Sequence, residues 1–347
     1  MKKKIYYLDV LRVIACLMVI MIHASGYYVT KNIGSTNFWI GNVIDSLVRV
    51  AVPIFVMISG ALLLDKNYKY SKDKLVSHIY KMILMFVVWS LIYTLLFDVI
   101  EPIILKHESI SLFKTVINFV KGYYHLWFFY LIVGLYLILP LLRLWVKDEN
   151  KKYVEYFLIL SIIFTFIISW GLTIGSYYSD NIVKISDFFN NKFQLKYISG
   201  YTSYFILGWY LNNYKVNNKN RIYLLSVVSV LLSIFGTYIL SITLDKPVQL
   251  FDYLGINVLI PSIALFIYVK DKYNKKKESN IISSISKYSL GIYVIHAGVL
   301  KVMYKLLESL GFNNAIPNIL IVFIISFGVS YLITLIISKI PKLNNII

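Results

Sequence analysis

The chain has a single cysteine, seven prolines and little charge. Cys16 stands alone, so no internal disulfide and no cysteine-based metal centre can form. Asp and Glu number 17 against 35 Lys and Arg, and charged residues make up 15% of the chain, where a soluble domain carries about a quarter. That scarcity excludes a soluble enzyme, a disordered segment and a coiled coil. Several catalytic signatures are missing too. There is no GxxxxGK[ST] phosphate loop, no HExxH zinc helix and no GxSxG elbow. Five scattered histidines argue against a catalytic metal.

What is present is apolar sequence, 59% of 347 residues. Long apolar runs recur near 8–28, 42–64, 79–100, 125–144, 156–174, 198–212, 222–243, 254–270, 287–303 and 318–338. At about 20 residues per helical span, ten spans leave only short loops and no room for a sizeable soluble domain. The expected fold is therefore all-α, a polytopic integral membrane protein with about ten transmembrane helices and one membrane-embedded domain over residues 1–347. The sixth run is short and rich in Gly and Tyr. The first follows Lys2, Lys3 and Lys4 as a signal peptide would. Its length, its Arg12 and the lack of a small-residue cleavage site mark it as a retained helix.

Ten spans put both termini on one side. The N-terminus, the even-numbered loops and the C-terminus then hold 23 Lys and Arg, the odd-numbered loops hold 10, and Arg12 and Arg49 lie inside spans. The positive-inside rule places both termini in the cytoplasm. The net charge of +18 thus reports orientation in a cell (plasma or inner) membrane. The lipid bilayer is the expected partner, and no nucleic acid is needed. The longer outer segments, 101–124 and 175–197, are either plain connections or covers for a site.

Ionisable groups in lipid are costly and usually face a bundle interior or cavity. The first span carries Asp9-Val10-Leu11-Arg12 and then His23. Arg12 and His23 are eleven positions apart, about 20° past three full turns, so they share a helix face roughly 16 Å apart along the axis. Cys16 and Val19 lie between them. Two readings fit. Arg12 snorkels to the interface beside Asp9 and His23 bonds a neighbouring helix. Alternatively, the stripe is a through-membrane site, with Arg12 binding an anionic or carbonyl-bearing group and His23 acting as a general base near neutral pH.

Arg49 lies at a similar depth in the second span. Asp45 at i−4 offers an ion pair, and an oxyanion or acceptor clamp is the alternative role. Pro53 is expected to kink this span, and Ser59-Gly60 to permit a close helix contact. His125 and Trp127 open the fourth span at the outer surface; His125 is a candidate acceptor ligand and Trp127 an interfacial anchor or acceptor contact. His296 is mid-span, where a packing hydrogen bond is expected. Lys72, Lys74, His78 and Lys81 form a basic patch, either ordinary cytoplasmic charge or a seat for a nucleotide phosphate.

Set in order, these residues resemble a known pattern. Asp9-x-x-Arg12 followed by ten residues and His23 is similar to the opening of the membrane acyltransferase-3 family. Val52-Pro53-Ile54-Phe55 with Ser59-Gly60, His125-Leu126-Trp127-Phe128 with Tyr136 and Pro140-Leu141-Leu142, Gly208-Trp209-Tyr210, and Tyr288 to His296 resemble its later signatures, over roughly residues 5–338. The resemblance implies a ten-span inner-membrane O-acyltransferase. Such an enzyme takes an acyl group, usually acetyl, from cytoplasmic acyl-CoA and delivers it to a hydroxyl of an outward-facing cell-surface polysaccharide or related acceptor. Acetyl-CoA would be the donor substrate, with no metal. The matched Arg-x10-His pair implies that His23 is catalytic and that Arg12 supports the acyl-CoA.

Where the family shows Arg-x-x-Arg at the start of span three, this chain has His78-x-x-Lys81. Lysine meets phosphate as a point charge without arginine's fork. Some members add a hydrolase-like domain; this chain is expected to work alone or with a partner. On this reading the CoA nucleotide sits near Lys72, Lys74, His78 and Lys81, its pantetheine arm passes Arg12 and Cys16, and Arg49 meets the oxyanion near His23. Cys16 as a transient acyl carrier is the covalent alternative. A proton-coupled exporter of a glycan or small polar substrate, and a scaffold for polysaccharide synthesis, are the rival classes. Homo-oligomerisation is left open.

Overall fold

The computed structural model describes residues 5–68, 71–106, 111–192, 200–341 and 343–347. The expected cytoplasmic charges Lys2, Lys3, Lys4, Lys69 and Lys342, and Lys196 of the outer segments, lie outside the described residues. Among the described residues there are helices and no strands. Eight helical stretches are long and apolar enough to cross a membrane, and the protein is an all-α polytopic membrane protein.

The first helix, α1 (Tyr6–Val29), is the axis of the molecule. Helix α2 (Thr36–Val48) and helix α3 (Ala51–Leu63) follow as one apolar stretch broken at Arg49–Val50. The break has a local cause. The ring of Pro53 would collide with the carbonyl four residues earlier, that of Arg49, and Pro53 has no N–H to continue the ladder. In the first turn of α3 the missing N–H costs nothing. The kink expected from Pro53 is thus a full interruption, and it leaves Arg49 at a helix end.

Helix α4 (Lys72–Thr94) begins seven residues before the apolar run, because the Ser71 side chain accepts the Lys74 N–H at 3.2 Å and caps it. It continues through a π-helical stretch, Leu95–Ile100. The outer segment that follows carries a short helix, α5 (Leu112–Lys121). Gly122, at φ +75°, ends α5 and swings residues 123–126 inward to α6 (Trp127–Trp145). A Cβ there would also press to 2.7 Å from the Phe86 ring. Next come α7 (Lys151–Ser161), a π-helical stretch Ile162–Ser169, α8 (Trp170–Ser176) and α9 (Asp180–Lys192). Then come α10 (Tyr201–Asn213), α11 (Lys219–Thr243), α12 (Ile256–Tyr273), α13 (Asn280–Ser309) and α14 (Ala315–Ser338). Two of the runs read as spans fall outside the eight. Helix α10 has 13 residues, and α12 ends on Lys270, Asp271 and Lys272.

Helix α1 packs against α2, α3, α12, α13 and α14, and its buried positions are apolar, aromatic or small except for Asp9. Helices α3 and α10 cross closely. A Cβ on Gly60 would stand 1.7 Å from the Phe205 carbonyl oxygen, and one on Gly208 2.0 Å from that of Met57. Backbone meets backbone here, which only glycine permits. The largest apolar cluster gathers around this crossing and the first half of α1, with Leu11, Ile54, Met57, Phe205 and Phe266 fully buried. Large apolar side chains such as Leu137, Leu224 and Ile324 point outward, as a lipid-facing surface requires.

Candidate active site

Arg12 and His23 share one face of α1, and each opens on a different cleft. At the Arg12 end, the guanidinium lies 3.3 Å from the Asp9 carboxylate and donates to the Ser286 hydroxyl at 3.0 Å. Ser286 in turn donates to Asp9 at 2.6 Å. This closed triangle joins α1 to α13 and leaves the Arg12 side chain 28% exposed. It faces a cleft of about 520 Å³ lined by Asn280, Ser283, Ser284, Lys287 and Tyr288. Arginine held by one carboxylate and one hydroxyl keeps further donors for an anionic guest.

At the other end the structure brings together three histidines that are far apart in sequence. The His23 ring stacks on His296 with centroids 5.3 Å apart and planes 27° apart. His125 meets His296 edge-on, also at 5.3 Å. His296 is fully buried, and its Nδ1 lies 2.6 Å from the Tyr293 carbonyl oxygen. A carbonyl can only accept, so Nδ1 carries the proton and Nε2 holds the lone pair. The packing hydrogen bond expected of His296 is therefore present, and with it an unforeseen contact to His23. Among the described residues no group of three His, Cys, Asp or Glu side chains has an arrangement that fits a metal ion.

His125 is 1% exposed, deep in the bundle rather than on the outer surface where its place in the sequence puts it. The turn after Gly122 carries it inward, the Tyr293 hydroxyl donates to its carbonyl, and its ring stands among Tyr93, Tyr293 and His296. Its ring nitrogens make no well-formed hydrogen bond, the Val294 backbone lying beside them. Trp127 packs 5.9 Å from both Tyr201 and Tyr253. Neither His125 nor Trp127 lines the outer cleft; both line a small enclosed cavity next to His23.

His23 itself opens on a cleft of about 470 Å³. Its walls are aromatic and charged: Tyr27, Tyr123, Tyr124 and Tyr304 with Lys301, Lys305 and Glu308. Tyr27 and Tyr304 stack at 4.4 Å, and Tyr124 meets the His23 ring edge-on at 4.9 Å. Lys301 and Lys305 both pair with Glu101, Lys301 at 2.8 Å. Burial, with Glu101 and Asp98 nearby, pushes the Tyr123 phenol up to about 12, so at neutral pH it remains a hydrogen-bond donor.

The other expected residues are placed as follows. Arg49 is nearly buried. Its Nε donates to the Phe251 carbonyl at 3.1 Å, and its terminal nitrogens reach Asp45 and Gln249, each at 3.4 Å. It lies over the rings of Phe251 and Tyr253, and Tyr253 in turn lines the small cavity beside His23. Cys16 is 2% exposed, packed with Ile20 and Ile292 and flanked by Phe55 and Phe323. Lys72, Lys74 and His78 are exposed on α4. The Tyr136 ring stands 6.3 Å from that of His78. Lys81 is half-buried and donates to the Ile347 backbone oxygen at 3.2 Å. Tyr124, Tyr253 and the His296 contact escaped sequence reasoning. Two of them sit on irregular segments with no helical period, and the run Tyr123-Tyr124-His125 after Gly122 was the one available signal.

A buried helix with a cationic cleft at one end and a histidine stack at the other, set in a bundle of membrane-length helices, defines a polytopic membrane protein built around an intramembrane site. The chain belongs to the acyltransferase-3 family: the family's model, described as an acyltransferase domain, matches residues 5–335. The chain is also similar to an amino-acid racemase of Enterococcus faecalis, 25% identical over 367 residues. That match covers 96% of this chain and 46% of the racemase, so the chain spans about half the length of the curated relative. With so little of that protein covered, its name carries no activity to this chain. No solved structure matches.

Proposed function

We propose that the protein is an O-acyltransferase, specifically an O-acetyltransferase using acetyl-CoA, that acylates a hydroxyl of a cell-surface polysaccharide or related glycan across the plasma membrane. The observation that carries this reading is the pair of clefts on one face of α1, cationic at Arg12 and aromatic at His23. The distribution of Lys and Arg puts the Arg12 end in the cytoplasm, where acyl-CoA is found. Tyrosine faces flanked by lysines and a carboxylate suit a sugar, whose C–H faces stack on rings and whose hydroxyls need donors and acceptors.

In this scheme Arg12 and the α4 cations hold the anionic part of acyl-CoA. Its arm runs along α1 past Cys16 and Phe55, which must shift to admit it. His23 takes the proton of the acceptor hydroxyl as the oxygen bonds to the thioester carbon. Collapse breaks the C–S bond, and the CoA thiolate takes that proton from His23. Because Cys16 is enclosed by apolar side chains, it is a wall of the passage rather than an acyl carrier.

The test uses the full chain in liposomes, with labelled acetyl-CoA on one face and purified cell-wall glycan on the other. Label on the glycan matched by CoA release is expected. Glycan movement without CoA release makes the protein a carrier instead.

A further inference from the structure

The small cavity beside His23 has a volume of about 20 Å³, room for one water-sized group. Val19 and Ile22, which precede His23 on α1, line it, so it lies toward the Arg12 end. Phe55 closes it on that side and also touches the cluster around Cys16. Its polar wall consists of His23, His125, Trp127, Tyr253 and Tyr293. The Tyr293 hydroxyl is already taken by the His125 carbonyl.

Tyr253 is different. It sits on the irregular segment between α11 and α12, which is held inside the bundle at many points. Thr237 and Ser241 accept the N–H groups of Leu250 and Val248 at 3.1 and 3.0 Å, and Tyr204 donates to the Tyr253 carbonyl at 2.7 Å. The guanidinium carbon of Arg49 lies 5.0 Å from the centre of the Tyr253 ring, a cation–π contact. Arginine has only donors, so it takes nothing from the phenol O–H, which remains to donate elsewhere. A cation over the ring draws charge from the phenol and strengthens that donor.

We propose that this cavity is the oxyanion pocket of the acyl transfer, with Tyr253 as the catalytic donor and Arg49 as its positioning residue. The assignment rests on the reading of His23 as the base. As the acceptor oxygen bonds to the thioester carbon, the carbonyl electron pair moves onto an oxygen seated in the cavity. The Tyr253 O–H donates to that oxygen and keeps its proton. The pair then returns, the C–S bond breaks, and the proton held on His23 goes to the thiolate. A cavity sized for one oxygen selects the transition state by position, because the donor is fixed before charge develops.

The experiment uses the full chain in nanodiscs with acetyl-CoA and purified cell-wall glycan, and S-ethyl-CoA, which lacks the carbonyl oxygen, as the binding probe. Tyr253→Phe is expected to lower kcat by about 10²–10³-fold, as loss of one oxyanion donor does. Binding of S-ethyl-CoA should stay within about twofold, since its missing oxygen never used the donor. Arg49→Gln should lower kcat less than Tyr253→Phe does. Replacing Tyr253 by 3-fluorotyrosine, a stronger donor of nearly equal size, should move kcat while leaving S-ethyl-CoA binding unchanged. If Tyr253→Phe keeps its kcat while His23→Ala is inactive, the pocket assignment is overturned and acyl transfer stands. If Tyr253→Phe loses S-ethyl-CoA binding and the fluorinated protein shows an unaltered kcat, Tyr253 is structural and the assignment is again overturned. Full activity of His23→Ala would remove the underlying reading itself.

Discussion

At one end of α1, Arg12 is bound into a triangle with Asp9 and Ser286. Eleven residues on, His23 makes only ring contacts among the described residues, with His296 and Tyr124. The first arrangement fixes a charge and presents it to a polar cleft. The second leaves imidazole nitrogens free in an aromatic one. A charge meant to bind must be held still against the cost of its burial. A base must keep a lone pair unoccupied until a proton arrives. On the proposed function the two ends serve different steps, binding at one and proton transfer at the other.

That contrast can be broken by substitution. His23→Ala should lower acyl transfer by about 10³-fold at saturating substrates, within the range for loss of a general base. CoA-release assays read this directly, and an unaltered rate would make the histidine stack mere packing. Arg12→Gln should act on binding, raising the KM for acetyl-CoA about 10–100-fold through loss of charge-assisted hydrogen bonds while kcat changes little. A fall in kcat with constant KM would erase the division between the ends.

Smaller effects sharpen it further. Tyr27→Leu, which removes the face stacked on Tyr304, should raise the KM for the glycan about 5–10-fold and leave that for acetyl-CoA alone. Cys16→Ser should change turnover by less than about twofold, since no step passes through the thiol; a dead enzyme would restore the covalent route. The crossing of α3 and α10 provides a structural control. Gly60→Ala puts a methyl on the Phe205 carbonyl and should destabilise the fold by about 1–3 kcal/mol or more, seen as a lower Tm with both clefts affected together.

Much of this was legible in the residues. The apolar runs find most of the long helices within a few positions, and the Arg12–His23 stripe follows from helical period alone. Ser59-Gly60 does mark a close contact. Other parts were misplaced for physical reasons. His125 was assigned to the surface because it opens a span, but a positive-φ glycine turns it inward. Arg49 was offered as an oxyanion clamp, yet its donors are directed to Asp45, four residues away, and to Gln249 and Phe251, 200 and 202 residues away. Helix α4 starts early because of a serine cap that hydropathy does not register.

Composition, period and charge distribution by themselves determined that this chain is a helical membrane protein and that α1 carries a polar stripe. Those properties are local, set within one helix by hydrogen bonding and by exclusion from water. Only the tertiary structure decided that His23 stacks on His296 with His125 edge-on to it, that the clefts open at opposite ends of α1, and that Tyr253 touches Arg49 and lines the cavity beside His23. Those depend on how separate helices and one irregular segment pack, where contacts between residues hundreds of positions apart carry no period to read.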